Sequence, residues 1–307
     1  RAPTPLEAIE IMRIATDIDP VAALEALGIA PASAPAPVPG GWDTALFRFA
    51  TADGRWHALR VFRSPDQVDT ARRERIALTA AAEAGIPVPQ VEAAGVWRDL
   101  PALVLSWVEG TTLLGALTRR PWSLWRLGHE FGRMQAAINA VPAPAELRDP
   151  GGARAWVHSL DPALADRLDA AGVTFETLAH LDYHPLNVMT DGRRITGVLD
   201  WADAAAADPR ADVARTAVLL DTATPPPGPL RAFVTLFRAL FRRAWMRGYR
   251  EVAGPLSDLA PFMALAGLSR LGDLAWARDR PGVWEGGLDP APVERWLARW
   301  RHRAGLP

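Results

Sequence analysis

Alternation of apolar and polar positions is the dominant pattern between residues 42 and 107. Alternation predicts strands that bury one face, whereas an apolar residue at every third or fourth position predicts a helix. Both patterns occur here, in the order strand, strand, helix, strand, strand. The predicted strands are 45–49, 56–62, 90–94 and 102–107, and the predicted helix is 66–84.

Helical spacing of apolar residues dominates after residue 109. The predicted helices are 122–140, 153–170, 209–220, 229–252, 256–277 and 292–303. We therefore expect an α+β, two-lobed fold, with a small antiparallel-sheet N-lobe that contains one main helix and a larger, mostly helical C-lobe. A chain of 307 residues is long enough to bury two such cores.

The residues before the sheet predict a helical extension. Residues 6–14 carry apolar side chains at helical spacing, and Asp19-Pro20 supplies an N-cap and a first-turn proline for a second helix. Residues 31–39 contain four prolines, which is typical of a stiff linker or extended arm. The expected division is an extension over 1–39, an N-lobe over 40–108 and a C-lobe over 109–307.

A polar segment, His180-Leu181-Asp182-Tyr183-His184-Pro185-Leu186-Asn187, interrupts the helical part. Asp182 suits a base that orients and deprotonates an attacking hydroxyl. Asn187 offers an amide oxygen of the kind that binds Mg²⁺. Because the chain has few His and only two Asn, the pattern H-x-D-x-x-x-x-N is expected by chance about 0.003 times. The alternative is a solvated loop between two helices.

A hairpin is predicted directly after this segment. Residues 188–190, an Asp191-Gly192 turn and the apolar run 195–199 predict two short antiparallel strands. Such a hairpin returns Asp200 to the neighbourhood of Asn187. Together these two residues would hold Mg²⁺ against a triphosphate, so the sequence predicts phosphoryl-transfer chemistry.

The segment resembles the H-R-D-L-x-x-x-N loop of protein kinases and, more closely, the H-G-D-x-H-P-x-N loop of the aminoglycoside phosphotransferase and choline kinase-like families. His184-Pro185 and Leu199-Asp200-Trp201 favour the second group, although Leu181 replaces its usual glycine. Protein kinases proper are disfavoured because the Asp-Phe-Gly and Ala-Pro-Glu signatures are missing. The resemblance implies a Mg²⁺-dependent small-molecule kinase that moves the γ-phosphate of ATP, or GTP, to an alcohol.

The resemblance also implies a nucleotide site in the N-lobe. Arg60 would take the place of the family lysine, since the chain contains no lysine, and Glu74 would be its partner on the helix. The alternatives are a surface arginine and a solvated charge cluster. The remaining implied contacts are a phosphate-covering turn at Gly40, Gly41 and Thr44, and a base-reading segment at Ser106, Trp107 and Val108.

Two further residues are implied as structural support. His180 would brace the loop through hydrogen bonds, with general-base chemistry as the lesser alternative. Asp212, in Asp208-Pro209-Arg210-Ala211-Asp212, would accept backbone N–H bonds from the loop. Asp203 either faces the acceptor hydroxyl or begins a polar turn.

Composition excludes several classes of protein. The net charge of −1 gives no indication of nucleic acid binding, and the absence of cysteine excludes disulfides and thiolate chemistry. No apolar run approaches a membrane span. We therefore expect a cytoplasmic protein, a monomer or a homodimer, whose partners are a nucleoside triphosphate and a small alcohol.

The acceptor is expected to bind in residues 222–307. This part has 13 Arg against 7 Asp plus Glu, and that balance argues against a polycationic aminoglycoside. Its tryptophans either stack on a ligand or belong to the core. The rival hypotheses are a metabolite kinase of the homoserine, choline or methylthio-sugar type, and a nucleotide-binding pseudokinase, which the missing lysine favours.

Overall fold

The computed structural model describes residues 18–39, 44–223, 230–278 and 289–307. The predicted helix at 6–14 and the predicted phosphate-covering residues Gly40 and Gly41 lie outside the described residues. Within the described ranges the α+β class and the two-lobed architecture are as predicted.

An antiparallel five-stranded sheet forms the N-lobe. Its strands are β1 (Ala36–Pro37), β2 (Thr44–Ala50), β3 (Trp56–Phe62), β4 (Val91–Trp97) and β5 (Leu100–Ser106). Their order across the sheet is β1-β2-β3-β5-β4. The proline-rich stretch thus supplies a short edge strand, a place where proline is tolerated because one side of the strand needs no ladder hydrogen bonds.

Each face of this sheet packs against one helix. On one face, alternate residues such as Phe47, Phe49 and Leu59 pack with α1 (Pro20–Ala26), which begins at the predicted N-cap Asp19. On the other face lies α2 (Val68–Glu83). Arg60 pairs across the strands with Leu46 and lies on this second face, because side chains alternate along a strand. The strand period therefore turns Arg60 toward α2.

The C-lobe is mostly helical. Its helices are α3 (Leu113–Arg119), α4 (Leu124–Asn139), α5 (Pro150–Leu160), α6 (Pro162–Ala170), α7 (Pro209–Thr222), α8 (Leu230–Ala253), α9 (Leu259–Arg278) and α10 (Ala291–Arg303). Five short strands accompany them: β6 (Thr111–Thr112), β7 (Thr177–Ala179), β8 (Val188–Thr190), β9 (Ile195–Val198) and β10 (Ala205–Ala207). They form two small sheets, β6-β8-β9 and β10-β7.

The one helix predicted over residues 153–170 is two helices. The break lies at Asp161, whose side chain accepts a hydrogen bond from Leu164 N–H (3.1 Å) and so caps the helix that Pro162 begins. Proline is favoured at a first helical position and disfavoured inside a helix. The Asp-Pro pair was the same signal that predicted the start of α1.

Glycines let α4 and α8 approach closely. A Cβ at Gly132 would collide with the carbonyl oxygen of Trp245, and a Cβ at Gly248 would collide with that of His129. The two helices are therefore held at a distance set by backbone contact. This packing leaves α4 rigidly placed behind the polar segment that contains Asp182. No helix in the described ranges is long and apolar enough to cross a bilayer.

Candidate active site

The polar segment 180–187 forms a loop that is anchored at its start by two buried residues. His180 donates from Nε2 to the carbonyl of Leu199 (2.9 Å) and accepts at Nδ1 from Asp182 N–H (3.3 Å). Because a carbonyl can only accept, this geometry defines a neutral ring with its proton on Nε2. His180 is fully buried. Its position favours support of the loop over proton transfer to a substrate.

Asp212 is the second anchor. Its Oδ1 accepts from Leu181 N–H (2.6 Å), and its Oδ2 accepts from the side-chain amides of Gln135 and Asn139 (2.9 Å each). Leu181 has φ +61°, a left-handed conformation that is uncommon outside glycine. The three hydrogen bonds to a fully buried carboxylate hold the loop in this conformation, which explains how leucine stands where related loops carry glycine.

Asp182 is partly buried near the start of the loop, with one carboxylate oxygen engaged and one open. Its Oδ2 accepts from Asn187 Nδ2 (2.9 Å) and lies 3.3 Å from His184 Nε2. His184 Nδ1 accepts from Leu186 N–H (3.3 Å), so the ring proton is on Nε2 and points to Asp182. No hydrogen bond from the described residues reaches Oδ1 of Asp182. That oxygen is therefore available to a ligand.

The predicted hairpin is present and brings Asp200 beside Asn187. Strands β8 and β9 pair antiparallel, and Leu199 N–H donates to the carbonyl of Asn187 (2.7 Å). Asp200 follows at φ +62°, which turns the chain sharply at the end of β9. The loop and the hairpin thus place the three predicted oxygen-bearing side chains of Asp182, Asn187 and Asp200 in one region.

Arg60 joins this region to the N-lobe. Its guanidinium donates to Glu74 Oε1 (2.7 Å) and to Asp200 Oδ1 (2.9 Å). Burial disfavours the charge of Arg60, but the two carboxylates outweigh this effect and raise the pKa of its guanidinium. Burial raises the pKa of Glu74, and the charge of Arg60 opposes that rise. Glu74 is only 1% exposed, so the surface charge cluster considered as an alternative is excluded.

Asn187 and Asp200 fit a Mg²⁺ ion by their donor chemistry. Hard cations prefer oxygen ligands, and each residue keeps one oxygen, Oδ1 of Asn187 and Oδ2 of Asp200, free of hydrogen bonds from the described residues. Burial works against the charge of Asp200, but Arg60 lowers the pKa of its carboxyl, so it is ionised at neutral pH. Among the described residues there is no cluster of three or more His, Cys, Asp or Glu suited to a metal.

Comparison with known families identifies this arrangement. The profile of the phosphotransferase enzyme family (APH) matches residues 35–255, which is more than half of the chain. The chain belongs to the phosphotransferase enzyme family. The predicted enzyme class, a small-molecule kinase, is thereby confirmed. A comparison with curated proteins gave no match.

Several solved structures with the same fold are antibiotic phosphotransferases. An apo thermostable mutant of aminoglycoside phosphotransferase APH(4)-Ia is 22% identical, with a TM-score of 0.62 over 92% of this chain and 98% of that one. Its ternary complex with ADP and hygromycin B has a TM-score of 0.61 at 21% identity, over 93% and 98%. Macrolide 2'-phosphotransferase MphH from Brachybacterium faecium has a TM-score of 0.51 at 21% identity, over 91% and 96%. At these identities the likeness shows the fold.

The segment between the lobes of this phosphotransferase is tied to the sheet. Ser106 N–H donates to the carbonyl of Gln90 (2.8 Å), and Trp107 N–H donates to that of Trp56 (3.0 Å). No hydrogen bond among the described residues uses the N–H of Val108. Of the three predicted base-reading residues, Val108 therefore keeps its backbone donor available.

An arginine braces the same segment. The guanidinium of Arg48 lies 4.0 Å from the ring centroid of Trp56 and 4.7 Å from that of Trp107. It also contacts the carboxylate of Glu109 at 3.5 Å. Cation–π contacts of this kind favour a fixed side-chain arrangement. They hold the inter-lobe segment against β2 and β3.

A cavity of about 530 Å³ opens in the C-lobe beside the loop. Leu181 and Asp203 line it on the side of the loop, and Arg215 lies at the same end. Arg215 donates to the carbonyl of Leu181 (3.0 Å) and to Asp273 (3.0 Å). Burial raises the pKa of Asp203, and the nearby charge of Asp182 adds to this effect. Asp203 therefore lines the cavity near the loop that contains Asp182.

The sequence did not predict the residues of α4 that donate hydrogen bonds to Asp212. Gln135 and Asn139 are four residues apart on α4, and they pair with Trp245 Nε1 (2.8 Å) and Tyr249 OH (3.1 Å), four apart on α8. Polar side chains at helical spacing on an otherwise apolar face were the available signal.

The tryptophans of residues 222–307 were expected either to stack on a ligand or to belong to the core. Trp245 and Trp296 are buried, Trp276 is partly exposed and Trp284 lies outside the described residues.

Proposed function

We propose that this chain transfers the γ-phosphate of a nucleoside triphosphate, ATP or GTP, to a hydroxyl group of a small molecule with the help of Mg²⁺. The proposal rests on the hydrogen bonding of the two carboxylate oxygens of Asp182. One carboxylate oxygen is fixed by Asn187 and His184, and the other is free to accept the proton of an alcohol. A carboxylate oriented in this way suits a general base.

In the proposed reaction the acceptor oxygen attacks the γ-phosphorus while the bond to the β,γ-bridging oxygen breaks. The acceptor proton passes to the free oxygen of Asp182, and the nucleoside diphosphate leaves. Arg60 provides a fixed positive charge for the phosphates, and Glu74 orients its guanidinium. Mg²⁺, held by Asn187 and Asp200, would neutralise negative charge on the phosphate oxygens.

The nucleotide would enter between the lobes. Thr44 begins β2 at the end of the predicted phosphate-covering turn, and the free N–H of Val108 is the backbone donor we assign to the base. Neighbouring structures contain ADP or AMP-PNP, which supports nucleotide binding in this fold. We further propose a cytoplasmic location, where nucleoside triphosphates are available, and a division into lobes near residue 108.

The pseudokinase hypothesis loses its main support. It depended on the missing lysine, yet Arg60 makes the buried ion pair with Glu74 that the lysine was expected to make. The fork of an arginine can also contact phosphate oxygens in pairs. The metabolite-kinase hypothesis differs only in the identity of the acceptor, and its mechanism of phosphate transfer is the same.

The test is phosphate transfer from γ-labelled ATP or GTP to a panel of alcohols in the presence of Mg²⁺. We expect Asp182→Asn to lower transfer by about 10²- to 10⁴-fold, the usual contribution of a general base, while nucleotide affinity measured by calorimetry stays close to that of the wild type. Asp191→Asn, in the exposed β8–β9 turn, is the matched control and should transfer phosphate normally. Full turnover by Asp182→Asn would refute the assignment.

A further inference from the structure

Five large apolar side chains of helices α4 and α8 and the turn before α4 are exposed. Trp122 (79% exposed) lies in that turn, and Trp125 follows about one turn later. In the first half of α8, Leu236 (60% exposed) lies about one turn from both Phe233 and Leu240, which are also exposed. Single apolar residues are common on protein surfaces, whereas a contiguous apolar patch marks an interaction surface. Whether the five form one patch depends on how the two helices pack.

Helices α4 and α8 lie side by side and run in the same direction. A Cβ at Gly128, near the start of α4, would lie 3.2 Å from the ring of Phe241. Farther along both helices, the side chain of Asn139 accepts a hydrogen bond from Tyr249 OH (3.1 Å). Since the two helices stay in contact over this length, their exposed sides meet in one continuous surface.

The hydrogen bond between His129 of α4 and Glu251 of α8 (2.7 Å) marks one side of this helix pair. Residues that are separated by whole turns share a face of a helix. Trp125 lies about one turn before His129. Phe233 and Leu240 lie about five and about three turns before Glu251. The exposed apolar side chains of both helices therefore lie on the same side and form one patch, the α4–α8 patch.

Arginines surround the α4–α8 patch. Arg126 of α4 donates to the carbonyls of Gly192 (2.6 Å) and Arg193, and so holds the β8–β9 turn beside the start of α4. Segments 119–133, 191–194 and 230–251 together contain 12 arginines and three acidic residues, Glu130, Asp191 and Glu251. Ion pairs in these segments join Arg194 to Asp191, Arg242 to Asp221 and Arg247 to Glu251. Because the whole chain has a net charge of −1, positive charge is concentrated around the patch.

We propose that the α4–α8 patch binds the surface of an anionic phospholipid bilayer. Its aromatic and leucine side chains enter the boundary between head groups and acyl chains, and the surrounding arginines pair with lipid phosphates. The aliphatic side chains of Leu236 and Leu240 favour lipid over nucleic acid, whose bases stack on aromatic rings. This binding does not require phosphate transfer at the site of Asp182, so it is tested independently of the proposed function.

The test is cosedimentation of the whole chain with lipid vesicles. Vesicles of phosphatidylcholine that contain about 30% phosphatidylglycerol are compared with vesicles of phosphatidylcholine alone. We expect binding to the anionic vesicles to be at least about tenfold tighter at low salt. It should weaken when NaCl is raised from about 0.1 M to about 0.5 M, because salt screens exposed charges. Equal binding to both kinds of vesicle, or no binding to the anionic ones, overturns the proposal.

A double variant tests the apolar part of the patch. Trp122→Ser with Leu236→Ser removes exposed apolar surface and should weaken binding to the anionic vesicles at least about tenfold. Val96→Ser with Leu160→Ser is the matched control, because these side chains are exposed on β4 and α5, and it should bind as the wild type does. Unchanged binding by the first variant, or an equal loss in the control, overturns the proposal. Thermal unfolding of each variant shows whether a loss is one of folding.

A second double variant tests the charges. Arg193→Glu with Arg194→Glu reverses two exposed charges in the β8–β9 turn and should weaken binding to the anionic vesicles at least about tenfold. Arg72→Glu with Arg75→Glu makes the same change on the exposed side of α2 and should not weaken it. An equal loss in both variants would mean that net charge, and not the α4–α8 patch, decides the binding, and it would overturn the proposal.

Two other occupants of the patch give different results. Binding of single-stranded RNA without binding to the anionic vesicles identifies nucleic acid as the partner and overturns the proposal. A dimer in light scattering that Trp122→Ser with Leu236→Ser dissociates shows that a second copy of the chain covers the patch, and this result also overturns it. A chain that stays monomeric and binds the anionic vesicles supports it.

Discussion

Arg60 of the N-lobe donates a hydrogen bond to Asp200 of the C-lobe at 2.9 Å, across 140 positions of sequence. The same guanidinium holds Glu74 at 2.7 Å. An ammonium group is a point donor, whereas the guanidinium fork contacts two carboxylates at fixed angles. In this chain the arginine therefore joins Glu74 on α2 and Asp200 after β9 in one hydrogen-bonded unit.

This relationship predicts that stability and activity can be separated at Arg60. Arg60→Met leaves Glu74 buried and unpaired, so we expect the free energy of unfolding to fall by about 3 kcal/mol. Adding Glu74→Leu replaces the buried pair with apolar contacts and should restore most of that loss. Transfer should remain about 10²-fold low in both variants, because the phosphates lose a fixed charge. Urea unfolding and initial rates measure the two effects.

The outcome that would contradict this view is recovery of transfer in the double variant. Recovery would mean that Arg60 acts only by neutralising Glu74. Arg63 is an exposed residue directly after β3, so Arg63→Met is the control for loss of one positive charge. Its free energy of unfolding and its initial rate of transfer should stay close to those of the wild type.

A second prediction concerns Asp212, which fixes the left-handed conformation of Leu181. Asp212→Ala removes the acceptor of three hydrogen bonds, so the loop that carries Asp182 should shift. A displacement of about 1 Å at a reacting group can cost 10²-fold in rate. We expect kcat to fall by about that factor, while the KM for nucleotide changes little.

The matched control for Asp212 is Asp149→Ala, which removes a carboxylate that caps α5 on the surface. Its kcat should stay near the wild-type value. If Asp212→Ala changed the KM for nucleotide as much as it changed kcat, the residue would act on the whole site and not on the loop alone. Asp212→Asn keeps one acceptor oxygen and should recover part of the rate.

The elements of this fold could be predicted because each has a local cause. Strand β3 was predicted at its observed limits, since alternation depends only on neighbouring residues. The hairpin between Asn187 and Asp200 was predicted from its Asp-Gly turn. The convergence of the loop and hairpin residues followed from these short-range features.

What could not be predicted depends on contacts between distant segments. The pairing of Arg60 with Asp200 requires the relative placement of the two lobes, which no local pattern contains. The support of Asp212 by Gln135 and Asn139 requires the packing of α4 against α7. The cavity is formed by side chains from several elements whose spacing is set only by tertiary packing. The sequence could therefore indicate the chemistry of the site but not the shape of the cavity beside it.

A third prediction tests the close contact between α4 and α8. Gly132→Ala places a Cβ against the carbonyl of Trp245, and backbone cannot move aside as a flexible side chain can. We expect the helices to separate and the free energy of unfolding to fall by about 1–3 kcal/mol. Gly272→Ala is the matched control, because a Cβ there meets nothing within 4 Å. It should stabilise α9 by up to about 1 kcal/mol, since alanine is the better helix former.

The test is whether Gly132→Ala lowers the free energy of unfolding while Gly272→Ala raises it. Urea unfolding of both variants gives the free energies directly. Destabilisation of similar size in both variants would mean that the backbone freedom of glycine, and not the close approach of α4 and α8, decides the effect at Gly132.

The last prediction concerns Asp208, which caps α7 and makes a contribution to stability that depends on pH. Burial works against its charge, but hydrogen bonds from Arg210 and from the backbone of Arg210 and Thr174 lower the pKa of its carboxyl below the ordinary value. The unfolded chain therefore takes up a proton at higher pH than the folded one. Asp208 contributes stability above about pH 4, and that contribution is lost as the pH falls through the lowered pKa.

We expect Asp208→Asn to lower the free energy of unfolding by about 1–3 kcal/mol at pH 7, because the charged hydrogen bonds to Arg210 are weakened. The difference between wild type and variant should shrink as the pH is lowered from 5 to 3, since the wild-type carboxylate becomes protonated there. Urea unfolding at pH 7, 5 and 3.5 measures it. Asp166→Asn, an exposed carboxylate on α6, should show no such dependence. A constant difference at all three pH values would exclude the ionised form of Asp208 as the source of the stability.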